Sequence, residues 1–170
     1  GPTAAPLAAV LQGVFTANAS RCGTPAMQMG EANDALVRRG IDARFATPVY
    51  AVLAADGRLT YCNGGHDPPL LIRESGVQRL ETGGMVIGML EDAAFEEQTI
   101  QLERGDILVA FSDGITEARD MAGEEFGEER LIACVQTHRR LSPSALLHRP
   151  FLGVHHFRAP GTQRHDHTVL

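Results

Sequence analysis

Lysine and tryptophan are absent from this 170-residue chain: all 15 basic residues are arginine, against 21 acidic ones, for a net charge of −6 with histidine neutral. Without lysine there is no phosphate-loop lysine, no Schiff-base lysine and no kinase-type ATP lysine. An acidic balance with two Tyr offers neither a basic field nor many stacking surfaces for nucleic acid. Apolar runs such as 107–111 are far shorter than the roughly 20 residues a membrane span needs, and no charged-then-apolar leader opens the sequence. A soluble, cytoplasmic protein that binds neither nucleic acid nor membrane is expected. Cys22, Cys62 and Cys134 are odd in number, widely spaced and form no CxxC pair, so they read as small core residues in a reducing compartment.

An apolar fraction of 44% with 21% charged residues is ordinary globular composition, and the length suits one domain spanning 1–170. Charge is uneven: residues 91–129 hold thirteen acids against two Arg, and residues 130–170 hold one acid against six Arg. Such an anionic block reads either as solvated surface or as acids that converge on a metal.

Leu7, Val10, Leu11, Val14 and Phe15 recur at helical spacing, predicting a helix over 3–20 in which Pro6 sits within the first turn. Thr24 and Pro25 read as N-cap and first residue of a second helix that stops near Gly40. Ala55-Asp56-Gly57 between two β-prone runs, 45–54 and 58–63, is a hairpin signal. Further strands are expected at 70–73, 77–80, 97–102 and 107–111. Glu128 and Glu129 open a helix running to about Arg140, and Ser142-Pro143-Ser144 starts another reaching Pro150 or slightly beyond. A short strand over 165–170 closes the chain. Helices segregated from a run of about six strands imply an α+β sandwich, not a βαβ repeat.

No GxGxxG follows a strand and no GxSxG occurs, so dinucleotide and serine-hydrolase chemistry lack support. More pointed is Gly105-Asp106-Ile107-Leu108-Val109-Ala110-Phe111-Ser112-Asp113-Gly114-Ile115-Thr116-Glu117. There an apolar strand delivers a carboxylate at its end, and Gly114 lets a ligand or metal come close to the backbone. Spacing alone leaves two readings of Asp113, a ligand or the cap of a turn or helix starting at Gly114. In Tyr61-Cys62-Asn63-Gly64-Gly65-His66-Asp67-Pro68-Pro69, the glycine and proline pairs make a rigid connection centred on His66, which reads as structural before catalytic. His138, His148, His155 and His156 read as surface or packing residues.

At these two segments the sequence is similar to a known family. FATPVYAVLAADGRLTYCNGGHDPPLLI (45–72) resembles the hairpin and "NAGH-P-P" turn of the protein phosphatase 2C-like (PPM) serine phosphatases of the stage II sporulation protein E type. GDILVAFSDGITEARDMAGEEFGEERL (105–131) resembles that family's "GD-strand-TDG-hydrophobic-TEA … FG-ERL" segment, and MVIGM (85–89) the stretch between them. The resemblance implies an αββα four-layer sandwich of two mainly antiparallel sheets flanked by helices. It also implies two Mn²⁺ or Mg²⁺ ions and hydrolysis of phosphoserine or phosphothreonine on a protein. Its usual substrates imply a phosphorylated anti-sigma-factor antagonist in bacterial sigma-factor signalling. Two metals clamp phosphoryl oxygens and lower the pKa of a bound water, so no covalent nucleophile is required.

By position, Asp113 and Gly114 match the metal-binding "TDG" element, with Ser112 in place of its threonine. The family's upstream "GD-aromatic-x-D" strand and "D-V-S-G-H-G" loop have no counterpart here beyond Gly1, so the domain is read as N-terminally truncated, with part of the metal site missing. The family's "Q-x-D-D-x-T" strand appears as Gln163-Arg164-His165-Asp166-His167-Thr168. In register, His165 replaces the ligand aspartate and Asp166 takes the second position, two further metal-site candidates that alternate across the strand. An imidazole there favours Mn²⁺ or Zn²⁺ over Mg²⁺; the alternative is a nonligating strand end. The chain by itself is expected to hydrolyse an aryl phosphate slowly or not at all. The competing reading is a pseudophosphatase that keeps the fold as an interaction or regulatory domain.

Overall fold

The computed structural model describes residues 4–19, 23–38 and 45–157. They fall into two compact units, one of the described residues up to 66 together with 80–104, the other of residues 67–79 and 105–157. The mixed α and β content, with two antiparallel-rich sheets, is the α+β class expected from the sequence.

In the first unit, α1 (Ala4–Ala19) and α2 (Pro25–Arg38) precede a hairpin of β1 (Val49–Leu53) and β2 (Arg58–Gly64). α2 starts at the predicted proline, and Thr24 Oγ1 accepts from the Met27 amide at 3.4 Å. The Asp-Gly signal is fulfilled: β1 and β2 pair antiparallel from Val49↔Asn63 to Leu53↔Leu59, and Gly57 takes φ +84°. Asp56 closes the turn by accepting from the Arg58 amide at 3.1 Å and from its Nε at 2.8 Å, which holds the carboxyl below its ordinary pKa. β6 (Gln98–Gln101) lies antiparallel on β2, and β5 (Gly83–Gly84), a parallel partner of β2, was not legible in the sequence. The core gathers Met29, Ala32, Leu36, Cys62 and Ile87, with the predicted α1 face of Leu7, Val10, Leu11, Val14 and Phe15 packed against it. Asn33 is fully buried on α2, where its Oδ1 accepts from the Gly88 amide and its Nδ2 donates to the Leu90 carbonyl, both at 2.9 Å. Those two bonds satisfy the buried amide and pin the 88–90 loop to the helix.

Burial pushes the fully enclosed Cys62 thiol from an ordinary 9.0 up to about 11, with the nearby Glu97 carboxylate adding to the shift. At about pH 8 roughly one molecule in a thousand then carries a thiolate, so Cys62 should resist iodoacetamide in the native chain and react on unfolding. The raised value also means that the thiol's stabilising contribution is present in full below pH 9.0 and is lost as pH climbs through about 11. Rapid native alkylation of Cys62, mapped by mass spectrometry, would contradict this burial.

In the second unit, β3 (Leu70–Ile72) is the middle strand between β4 (Val77–Arg79) and β7 (Ile107–Val109), antiparallel to both. The one-turn α3 (Asp113–Thr116) follows, then α4 (Gly127–His138) with Glu128 and Glu129 in its first turn, and α5 (Pro143–Phe157). The expectation that this helix reaches Pro150 or slightly beyond is corrected: α5 runs to Phe157, seven residues past that proline. Leu146, Pro150, Val154 and Phe157 recur at helical spacing, and Pro150 and Val154 are buried. Packing of that face outweighs the roughly 3 kcal/mol that an interior proline costs a helix. The predicted strand over 165–170 lies outside the described residues.

Candidate functional site

Two segments singled out in the sequence can be located, one in each unit. In the first, Asn63 is the penultimate residue of β2 with its side chain buried, and its amide clasps His66: Oδ1 accepts from the His66 amide at 2.8 Å while Nδ2 donates to the His66 carbonyl at 2.9 Å. Nδ2 also lies 3.4 Å from the Leu80 carbonyl. Gly65 has φ +77°, and a Cβ there would stand 2.8 Å from Val86 Cγ1. The chain therefore turns where only a glycine fits, and the clasp sets the backbone of His66.

In the second unit, the apolar strand β7 leads through Ala110 and Phe111, the latter buried, to Ser112 and Asp113. Asp113 is exposed and opens α3, whose next two residues, Gly114 and Ile115, are buried. Ser112 holds the N-cap position with extended backbone (φ −103°, ψ 159°), but its hydroxyl makes no capping bond. The turn is closed by backbone instead: the Ile115 amide donates to Ser112 O at 2.9 Å and the Glu117 amide to Asp113 O at 2.8 Å. Asp113 therefore does not cap a helix starting at Gly114; it is the first helical residue, with its carboxylate at the surface.

His165 and Asp166 lie outside the described residues. Among the described residues, no group of three or more His, Cys, Asp and Glu side chains gathers as a metal site. A hard divalent ion takes about six or more oxygen donors, so the described residues do not by themselves fit a two-ion centre. Acids of the 91–129 block pair with arginines: Asp106 with Arg73 at 3.5 Å, Glu125 with Arg119 at 2.5 Å, Glu124 with Arg130 at 3.9 Å, and Glu128 with Arg79. The Arg119–Glu125 and Arg130–Glu124 pairs are exposed on both sides and contribute little each. The helix histidines hold local roles, with Nδ1 of His138, His148 and His156 hydrogen-bonded to the carbonyl four residues back. No described helix is long and apolar enough to cross a membrane.

Sequence reasoning missed Arg130. It lies on α4, four residues after Phe126, and Nη1 donates to the carbonyls of Glu125 at 2.8 Å and Phe126 at 2.9 Å. Its position one turn into a helix behind a Phe-Gly pair was the available signal.

The family described as Stage II sporulation protein E (SpoIIE) matches residues 1–170. Phosphoserine phosphatase RsbU of Bacillus subtilis is 35% identical over 92 residues, 52% of this chain and 28% of that protein. The chain spans 28% or less of the curated relatives it matches. Among solved structures, the SiaA-PP2C domain of Pseudomonas aeruginosa superposes with a TM-score of 0.84 at 17% identity, over 99% of this chain and 69% of that one. The catalytic domain of the serine threonine protein phosphatase PstP, in complex with 2 manganese ions, gives 0.67 at 11% identity, over 96% and 77%. At such identities these two likenesses establish the fold.

Proposed function

This chain belongs to the Stage II sporulation protein E (SpoIIE) family, and from that membership we propose that it is a metal-dependent phosphoserine/phosphothreonine protein phosphatase domain. Its substrate in this reading is a phosphorylated regulatory protein, an anti-sigma-factor antagonist in bacterial sigma-factor signalling. The observation that carries the reading is the Ser112-Asp113-Gly114 turn, which sets an exposed carboxylate at the end of an apolar strand beside a buried glycine. Support comes from the name of the relative RsbU, a phosphoserine phosphatase, and from the manganese ions of PstP.

The donors we assign are Asp113, with Gly114 leaving room beside it, together with His165 and Asp166 from outside the described residues. Bound there, Mn²⁺ or Mg²⁺ would supply charge for the phosphoryl oxygens and an activated water. The chain's own part is to hold the Asp113 carboxylate at a fixed point. Domain limits of 1–170 are part of the same proposal.

The test is Mn²⁺-dependent hydrolysis of an aryl phosphate and a phosphoserine peptide by the chain and by Asp113→Asn. Slow turnover is expected, well under the typical enzyme value of about 10 s⁻¹, because few of the required donors are in hand. Asp113→Asn should lower it by at least about a hundredfold, since a metal's contribution is worth several kcal/mol. Equal turnover in both proteins would remove Asp113 from the site. Absence of both turnover and calorimetric Mn²⁺ binding would favour the pseudophosphatase, in line with the scarcity of donors among the described residues.

A further inference from the structure

A four-residue helix cannot hold its own shape in water, because a single turn does not recover its nucleation cost. What holds α3 lies downstream. Ile115 and Ala118 are buried, and the Phe126 amide donates to the Ala118 carbonyl at 2.7 Å, closing residues 118–126 into a hairpin. Within it Arg119 and Glu125 form a bridge, and Asp120 Oδ1 accepts from the amides of Ala122 at 2.8 Å and Glu124 at 2.9 Å. The hairpin's last residues meet Arg130. Besides donating to the carbonyls of Glu125 and Phe126, its guanidinium lies 4.8 Å over the Phe157 ring, and that ring meets Phe126 edge-on at 5.4 Å. One side chain thus joins the hairpin's end to α4 and α5.

We propose that Arg130 is a positioning residue for the Asp113 turn. Through Phe126 and the Ala118 carbonyl it fixes where α3 ends, and so where Asp113 begins it. The functional weight of this rests on the reading of Asp113 as a metal donor; the conformational linkage does not. Two carbonyls and an aromatic face need a flat group with parallel donors, which guanidinium provides and an ammonium does not.

Hydrogen exchange of the 170-residue chain separates this from a role confined to α4. In Arg130→Lys and Arg130→Met, the Ile115, Glu117 and Phe126 amides should exchange about tenfold faster or more, because local opening governs their protection. The Ala54 and Leu102 amides of the other unit, bonded to Arg58 O at 2.8 Å and Gly57 O at 2.9 Å, should keep wild-type rates. Acceleration at Phe126 with Ile115 and Glu117 unchanged overturns the proposal, as does full rescue by lysine. Should an Arg130 variant not fold, Phe157→Leu removes the face beneath the guanidinium, and Ile115 and Glu117 should again accelerate, by about threefold; unchanged rates overturn the linkage. Mn²⁺ titration distinguishes the two readings. No binding by wild type with the expected exchange pattern removes the metal-donor reading and leaves the linkage standing, whereas equal Mn²⁺ affinity in wild type and Arg130→Lys overturns the positioning of Asp113.

Discussion

Replacing Gly83 with alanine is expected to cost about 3–5 kcal/mol, at the upper end of single-residue effects. A Cβ built on Gly83 falls 1.8 Å from the Asn63 carbonyl oxygen and 2.5 Å from that residue's carbonyl carbon and nitrogen. These are backbone atoms, so no rotamer change relieves the overlap. Relief requires β5 to leave β2, which breaks the Asn63↔Gly83 and Gly64↔Gly84 pairing and the bond from the Asn63 amide to Thr82 O at 2.9 Å. The same movement disturbs the Asn63 clasp on His66, so the cost is spread over both backbone and side chain. Urea unfolding measures it from the shift in midpoint at constant slope. A loss under about 1 kcal/mol would show that the two strands part easily and that their close approach is not a determinant of this unit.

Leu70→Ala should cost about 2–5 kcal/mol, the range found for enclosed leucines. Leu70 is fully buried in the middle strand of its sheet, opposite Arg79 on one side and Val109 on the other, and packs in the cluster with Ile72, Phe111, Ile115 and Leu131. Both flanking strands restrict collapse around the vacated space, which places the site toward the costly end. Leu108→Ala is the internal control: its residue is 40% exposed on β7, and its truncation should cost under about 1 kcal/mol. Equal losses at the two positions, read by the same urea titration, would mean that burial in this sheet does not set the stability.

What could be read in the sequence follows from how local its cause is. The β1–β2 hairpin was legible because Asp56 and Gly57 carry the turn chemistry within four residues, and α2 because Thr24-Pro25 marks its start directly. β5 was not, since two consecutive glycines have no periodicity and owe their pairing to a backbone approach to Asn63 in a strand some 20 residues earlier. The end of α5 was misplaced because the rule for proline is local, whereas burial of Pro150 and Val154 is not. At the candidate site, the strand-end carboxylate was visible in Ile107 to Asp113 as a change from apolar to acidic. Its alternative role as a cap was indistinguishable by spacing, because first-turn and cap positions prefer the same residue. Arg130 escaped notice because its acceptors are main-chain carbonyls, which every residue has, and its aromatic partner lies 27 positions on in α5. Likewise Asn33 looked like an ordinary polar residue of a helix, with both its partners more than 50 positions away.

That buried asparagine gives the 88–90 loop a lifetime that its own sequence does not. Met89 and Leu90 stand 57% and 55% exposed, the sort of apolar pair a protease accepts readily. Cleavage, however, needs several residues of extended backbone drawn into an active-site groove. Drawing this loop out breaks both bonds of the Asn33 amide, at about 0.5–1.5 kcal/mol for each. The loop therefore opens only against bonds that α2 supplies, and its two exposed side chains advertise a cut site that the helix beneath guards.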